Sequence, residues 1–141
     1  MNYVSAAIIE KWGENSTLTD EIPSTKVFVG SYDTDTEEYP FVTINFPGSQ
    51  FSLRTNSRAC YMEDETARLA LWYGNSTGDY ASMQRVIQGV RDSFMSWEKQ
   101  LADGSGISDT IIASVGEFRD SDDGKWSAVI DLSMKVGRNV I

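Results

Sequence analysis

The chain contains no histidine and a single cysteine, Cys60. The first absence removes the commonest general base, the usual metal ligand and any Ser–His or Cys–His nucleophile pair. Together with the second it leaves no credible zinc site. A lone cysteine cannot close an internal disulfide, which fits a reducing compartment and points to the cytoplasm. Neither a phosphate-binding P-loop nor a strand-linked glycine-rich dinucleotide motif occurs. Apolar runs stop after a few residues, as in Ala6-Ala7-Ile8-Ile9, too short to span a bilayer. No basic stretch followed by an apolar one opens the chain, so a secretory leader is not expected and the N-x-S/T triplets at Asn15 and Asn75 carry little weight. Positive charge is scarce, with 12 Lys and Arg against 21 Asp and Glu and a net charge of −9. The cations are scattered singly, whereas phosphate binding needs them clustered. These absences argue against an enzyme, a cofactor, a metal, a membrane span and a reader of nucleic acid. Catalysis by carboxylates alone is the one enzymatic route left open.

What is present suits one globular domain over residues 1–141. The 40% hydrophobic and 11% aromatic content is enough for a core without metal or disulfides. The acidic residues fall in groups: Asp33, Asp35, Glu37 and Glu38; Glu63, Asp64 and Glu65; Asp120, Asp122 and Asp123. A calcium loop needs glycine at its sixth position and glutamate at its twelfth. Counted from Asp33 the sixth residue is Glu38, and from Asp120 the sixth and twelfth are Lys125 and Asp131. These groups are therefore expected to be solvated loops, where Asp and Gly serve turn geometry.

Taken in order, residues 2–13 are expected to form a helix, with Val4, Ala7, Ile8 and Trp12 on one side and Gly13 ending it. Residues 15–25 are polar and close on Pro23, the pattern of a connector. Residues 26–29 form a short strand, the acidic loop 31–39 follows, and residues 41–46 form a second strand stopped by Pro47-Gly48. Residues 49–64, with Phe51, Leu53 and a wholly polar run from Arg54 to Arg58, suggest an arm or long hairpin that partly projects. Alternation returns at 65–73, with Ala67, Leu69, Leu71 and Tyr73 inward. Tyr80, Met83, Ile87, Val90, Phe94, Trp97 and Leu101 then draw one apolar stripe at spacings of three and four, predicting a helix of about six turns docked on the sheet. Residues 107–118 and 126–136 predict a closing β-hairpin around the turn Asp120-Ser121-Asp122-Asp123-Gly124. The fold class is α+β: a mixed, mainly antiparallel sheet, a short N-terminal helix and one long amphipathic helix on one face, and a C-terminal β-hairpin.

This order of elements resembles the tail-completion or tail-terminator proteins of long-tailed bacteriophages. The likeness rests on the opening helix, the strand Val27-Phe28-Val29-Gly30 and the segment Tyr39-Pro40-Phe41-Val42-Thr43-Ile44. The strand Leu69-Ala70-Leu71-Trp72-Tyr73, the helix containing Val86-Ile87-Gln88-Gly89-Val90-Arg91-Asp92 and the final hairpin complete it. The segment 49–64, with its Cys60, has no counterpart in that pattern. The resemblance implies a structural virion protein without catalysis or cofactor, assembled in the host cytoplasm. Its copies would form a homo-oligomeric ring, a hexamer, at the head-proximal end of the tail. Its partners would be the tail-tube protein and the head connector or stopper protein, and DNA would pass through the ring without specific binding. An acidic lumen would repel that DNA. Copies in such a closed ring would associate head-to-tail around it, so each needs two different complementary patches. Candidate interface residues lie in the acidic loop (Tyr32, Asp33, Asp35, Glu37, Glu38), the arm (Phe51, Arg54, Arg58) and the C-terminal pair Val140 and Ile141.

Two other readings compete. One is a different ring component of the same particle, a head-closure or tail-tube protein. The other is a small cytoplasmic ligand-binding module with a pocket between sheet and long helix, where Gly89 and Ala81 would let a ligand approach.

Overall fold

The computed structural model describes residues 3–30, 38–54, 60–102 and 104–139, excepting the side chains at 48–54, 60–61 and 138–139. Helix α1, Tyr3–Gly13, buries Val4, Ala7, Ile8 and Trp12 as its spacing predicts. The stretch expected to be a connector contains a second helix, α2, Ser16–Glu21, and a 3-10 turn at Ser24–Lys26. Asn15 caps α2, its side-chain oxygen accepting from the Leu18 amide at 3.2 Å. Six residues are too few to show a helical period. Leu18 and Ile22, one turn apart and both fully buried, are the trace of it in the sequence. Trp12 ties α1 to the end of α2 by donating its indole N–H to the Ile22 carbonyl oxygen at 2.8 Å.

Six strands follow: β1 Val27–Val29, β2 Phe41–Arg54, β3 Cys60–Trp72, β4 Lys99–Gln100, β5 Gly106–Arg119 and β6 Trp126–Asn139. Their order across the sheet is β1-β2-β3-β6-β5-β4, with β1 parallel to β2 and the remaining pairs antiparallel. The C-terminal hairpin is thus inserted beside β3, and a simple strand meander is ruled out. Pro47-Gly48 does not stop β2. Between Asn45 and Gly48 the strand advances three residues while β3 advances two, from Arg68 to Thr66. That bulge removes Pro47, which has no N–H to donate, from the regular ladder. Of the arm and the long hairpin expected over 49–64, the structure shows the hairpin: residues 49–54 and 60–64 are paired strand.

Helix α3, Asp79–Phe94, is shorter than its stripe predicts. Met83, Val86, Ile87, Val90 and Phe94 are buried along it, but Met95 is extended and Ser96 has φ 62°. Trp97 and Leu101 still reach the core beyond this turn, Trp97 packing edge-on against Phe94 at 5.2 Å. The three-and-four spacing therefore continues across a break in the helix. Thr110 holds the break by accepting the Ser96 amide at its carbonyl and donating its hydroxyl to the Trp97 carbonyl, each at 2.8 Å.

All the buried apolar residues of α1, α2 and α3 join one cluster with Ala67, Leu69 and Leu71 of β3 and Ala128, Ile130, Leu132, Met134 and Val136 of β6. Gly89 sits where α2 crosses α3: a Cβ there would stand 2.7 Å from a Leu18 methyl. The space that a ligand-binding reading assigned to Gly89 is filled by Leu18, and Ala81 is exposed. Strand pairing places Phe41, Thr43, Ala70 and Trp72 on the opposite face of the sheet, away from that cluster.

Candidate assembly surfaces

Of the residues singled out from the sequence, Glu38 is exposed, and its backbone carbonyl accepts from the Lys26 ammonium. Phe51 and Arg54 stand opposite Glu63 and Tyr61 in the β2–β3 ladder, so they belong to the long hairpin that was one of the two forms expected there. Tyr32, Asp33, Asp35, Glu37, Arg58, Val140 and Ile141 lie outside the described residues. The described residues place the end of the second segment beside the C-terminal one, with Arg54 opposite Tyr61, Tyr61 opposite Arg138 and Cys60 opposite Asn139. The start of β2, beyond Glu38, and its end at Arg54 are at opposite ends of a 14-residue strand.

The helix-free face is ordered in rows that run across β2, β3, β6 and β5. The first row is Phe41, Trp72, Ser127 and Phe118, and the second is Thr43, Ala70, Val129 and Gly116. The third is Asn45, Arg68, Asp131 and Ser114. Arg68 grips Asp131 with two hydrogen bonds, at 2.9 and 3.2 Å, and Ser114 adds a third at 3.2 Å. The bond from Arg68, first among these causes, holds the Asp131 carboxyl below its ordinary range. Further along, Lys135 pairs with Asp64 at 2.7 Å. Both cations in these rows are thus matched by carboxylates on the neighbouring strand.

At the aromatic end of this face lies a feature that the sequence reading did not single out. Phe41 is fully buried among Tyr39, Trp72 and Phe28, with ring centroids 5.7, 6.2 and 6.2 Å away. The Trp72 indole donates to the Thr43 hydroxyl at 3.1 Å. Beside this stack a cleft of about 320 Å³ is lined by Tyr39, Trp72, Phe118, Arg119, Lys125 and Trp126, among others. Lys125 lies 4.9 Å from the Tyr39 ring and donates to its hydroxyl at 3.3 Å, which raises the ammonium's pKa. Arg119 lies 5.1 Å from the Trp126 ring, a cation–π contact. Phe118 is 55% exposed, and its ring lies over Gly116, where a Cβ would come within 3.1 Å of it. The signal available beforehand was Phe118 and Trp126 flanking the Asp-rich turn.

On the helix side, a polar chain ties α2 and α3 to Tyr73, the residue after β3. Ser82 donates to Glu21 at 2.6 Å, Arg85 donates to the other Glu21 oxygen, and the Tyr73 hydroxyl donates to Ser82 at 2.9 Å. Arg85 is the first cause that holds Glu21 below its ordinary pKa. Burial is the first cause that pushes Tyr73 up to about 12. The signs follow from linkage. Glu21 contributes stability that is full above its unfolded pKa and is lost as pH falls through the lower folded value. Tyr73 favours the folded state up to its unfolded value of 10.0, and that contribution is lost as pH rises towards about 12. Glu21→Gln is expected to cost about 1 kcal/mol at neutral pH and to flatten the acid limb of a urea-stability profile. An acid limb unchanged by this substitution would show that the chain of bonds does not stabilise the fold.

No protein-family model matches this chain, and no curated protein matches it. Among solved structures, one chain of a particle described as "Virion of native gene transfer agent (GTA) particle" is similar with a TM-score of 0.65. The match covers 96% of this chain and 96% of that chain at 9% sequence identity. A likeness at that identity is one of fold, and here it extends over nearly the whole of both chains.

Proposed function

We propose that this chain is a structural subunit of a phage-type virion. In this reading its copies form a ring at the head-proximal end of the tail, ending tube growth and joining the tail to the head connector. The observation that carries the reading is the full-length similarity of fold to a chain of a virion particle, set beside the family resemblance of the sequence. Sheet topology supports it. A closed ring requires two unlike surfaces on each copy, and the two margins of this sheet are unlike. One carries β1 beside β2 and the other β4 beside β5.

The resemblance implies six copies, and the helix-free face is the one we assign to the lumen. Because Arg68 and Lys135 are each held by a carboxylate, those two cations are not free to grip passing phosphates, and in this reading DNA slides without specific binding. A head-closure or tail-tube role would use the same margins, and particle morphology separates these roles. Particles assembled without this chain would show over-long tails if it terminates the tube, and normal tails unjoined to filled heads if it only joins them. Intact particles would overturn both.

A further inference from the structure

The two margins of the sheet are stepped, and the steps are complementary. Among the described residues, strand β1 flanks β2 only at Val42, Thr43 and Ile44. Those rows continue through β3 and β6 to Glu117, Gly116 and Val115 of β5. On the other margin β4 flanks β5 only at Ile107 and Gly106, the rows of Phe51 and Leu53 in β2. Each margin is therefore one strand wider at one end of the sheet, and the ends are opposite. When two copies are set side by side with their rows level, β1 of one and β4 of the other occupy the same strand position without overlapping. Directions agree as well. Strand β1 runs with β2 and so against β5, which makes β1 antiparallel to the neighbour's β5.

We infer that copies of this chain join through a composite seam strand, in which β1 of one copy and β4 of the next lie end to end between β5 and β2. The inference rests on the ring reading and names its contact. The seam accounts for an exposed apolar residue on an edge strand, ordinarily a liability. Val29 is 50% exposed and shares its row with Val115, so the seam sets the two valines side by side on the helix-bearing face. On the other face Phe28 comes level with Gly116, whose open side is already covered by the exposed Phe118 ring of its own strand, so the seam brings Phe28 towards that ring. The β5 ladder is unbroken from Ser114 to Arg119, the stretch that receives β1, while its two register shifts fall before it. Closing the margins in this way leaves no open edge around the ring.

The test uses particles assembled with Val29→Cys, Val115→Cys or both, in a Cys60→Ser background, and mild oxidation before non-reducing electrophoresis. The seam predicts a ladder of cross-linked multimers from the double variant and only monomer from either single one. Val29→Asp, at an exposed site, is expected to leave the melting curve of the free chain unchanged while lowering incorporation into particles about tenfold, through an unpaired carboxylate at the seam. Double-cysteine chains that incorporate but stay monomeric would overturn the seam and leave the ring reading standing. Normal incorporation of Val29→Asp would do the same. Failure of the unaltered chain to enter particles at all would overturn both.

Discussion

Trp12→Ala is expected to lower the unfolding free energy by about 3–5 kcal/mol, measured by urea denaturation of the purified chain. Trp12 is fully buried, so its loss removes a large apolar volume that the neighbouring helices cannot fill by a small shift. A second cost comes from the Ile22 carbonyl, which accepts the indole N–H at 2.8 Å and would be left in a dry site without that partner. Whole domains are stable by only about 5–15 kcal/mol, so this one change would leave a marginal protein. Trp12→Phe keeps most of the volume and loses the hydrogen bond, and is expected to cost about half as much. A loss below about 1 kcal/mol for the alanine variant would show that the α1–α2 corner is an appendage rather than part of the core.

Phe41→Ala is expected to cost a similar amount, about 3–5 kcal/mol, although Phe41 lies outside the main hydrophobic cluster. Its ring is fully buried between Tyr39 and Trp72, with Phe28 edge-on. Removing the middle ring breaks three aromatic contacts at once, each worth about 0.5–1.5 kcal/mol beyond the area it covers. Because Phe41 and Trp72 touch, the double variant with Trp72→Ala should cost less than the two single losses added together. Strict additivity would mean that the stack is a set of independent contacts and not a second small core. The stack matters for assembly as well as for stability. It positions Phe28, which the proposed seam brings level with the neighbour's Gly116 and the Phe118 ring above it.

The readability of the fold followed the length and exposure of its elements. In β3 and β6 one face meets the helices, so Ala67, Leu69 and Leu71, like Ala128, Ile130 and Leu132, fall on every second position and could be placed from the period alone. Helix α1 was legible for the same reason at a period of four. Helix α2 was not, because six residues offer one turn and a half and its anchor, Leu18, has no apolar partner inside the helix. The length of α3 was overestimated because Phe94, Trp97 and Leu101 keep helical spacing through a turn in which Ser96 takes a positive φ. A hydrophobic period records which side chains reach the core, and not the backbone path between them. Pro47 misled in the opposite direction: it ends a regular strand but is tolerated at a bulge, and the bulge is set by the partner strand.

The candidate surfaces were less legible than the fold. Loops and termini were the natural choices for contact residues, whereas which strands lie at the margins depends on β3 pairing with β6, where even the nearest partners, Trp72 and Ser127, are 55 residues apart in sequence, a long-range property. The order β1-β2-β3-β6-β5-β4 puts β1 and β4 on opposite margins, and nothing local in Val27-Phe28-Val29 or Lys99-Gln100 announces that. The aromatic cleft was hidden in a similar way, since Tyr39, Trp72, Phe118 and Trp126 come from four separate segments.

The most direct test of the structural role is electron microscopy of particles produced from a genome lacking this coding sequence, beside particles restored by supplying the chain in trans. The account predicts that the deletion yields no joined particles, with tails that are over-long or stand apart from filled heads, and that the supplied chain restores normal ones. Intact, infectious particles from the deletion would contradict it.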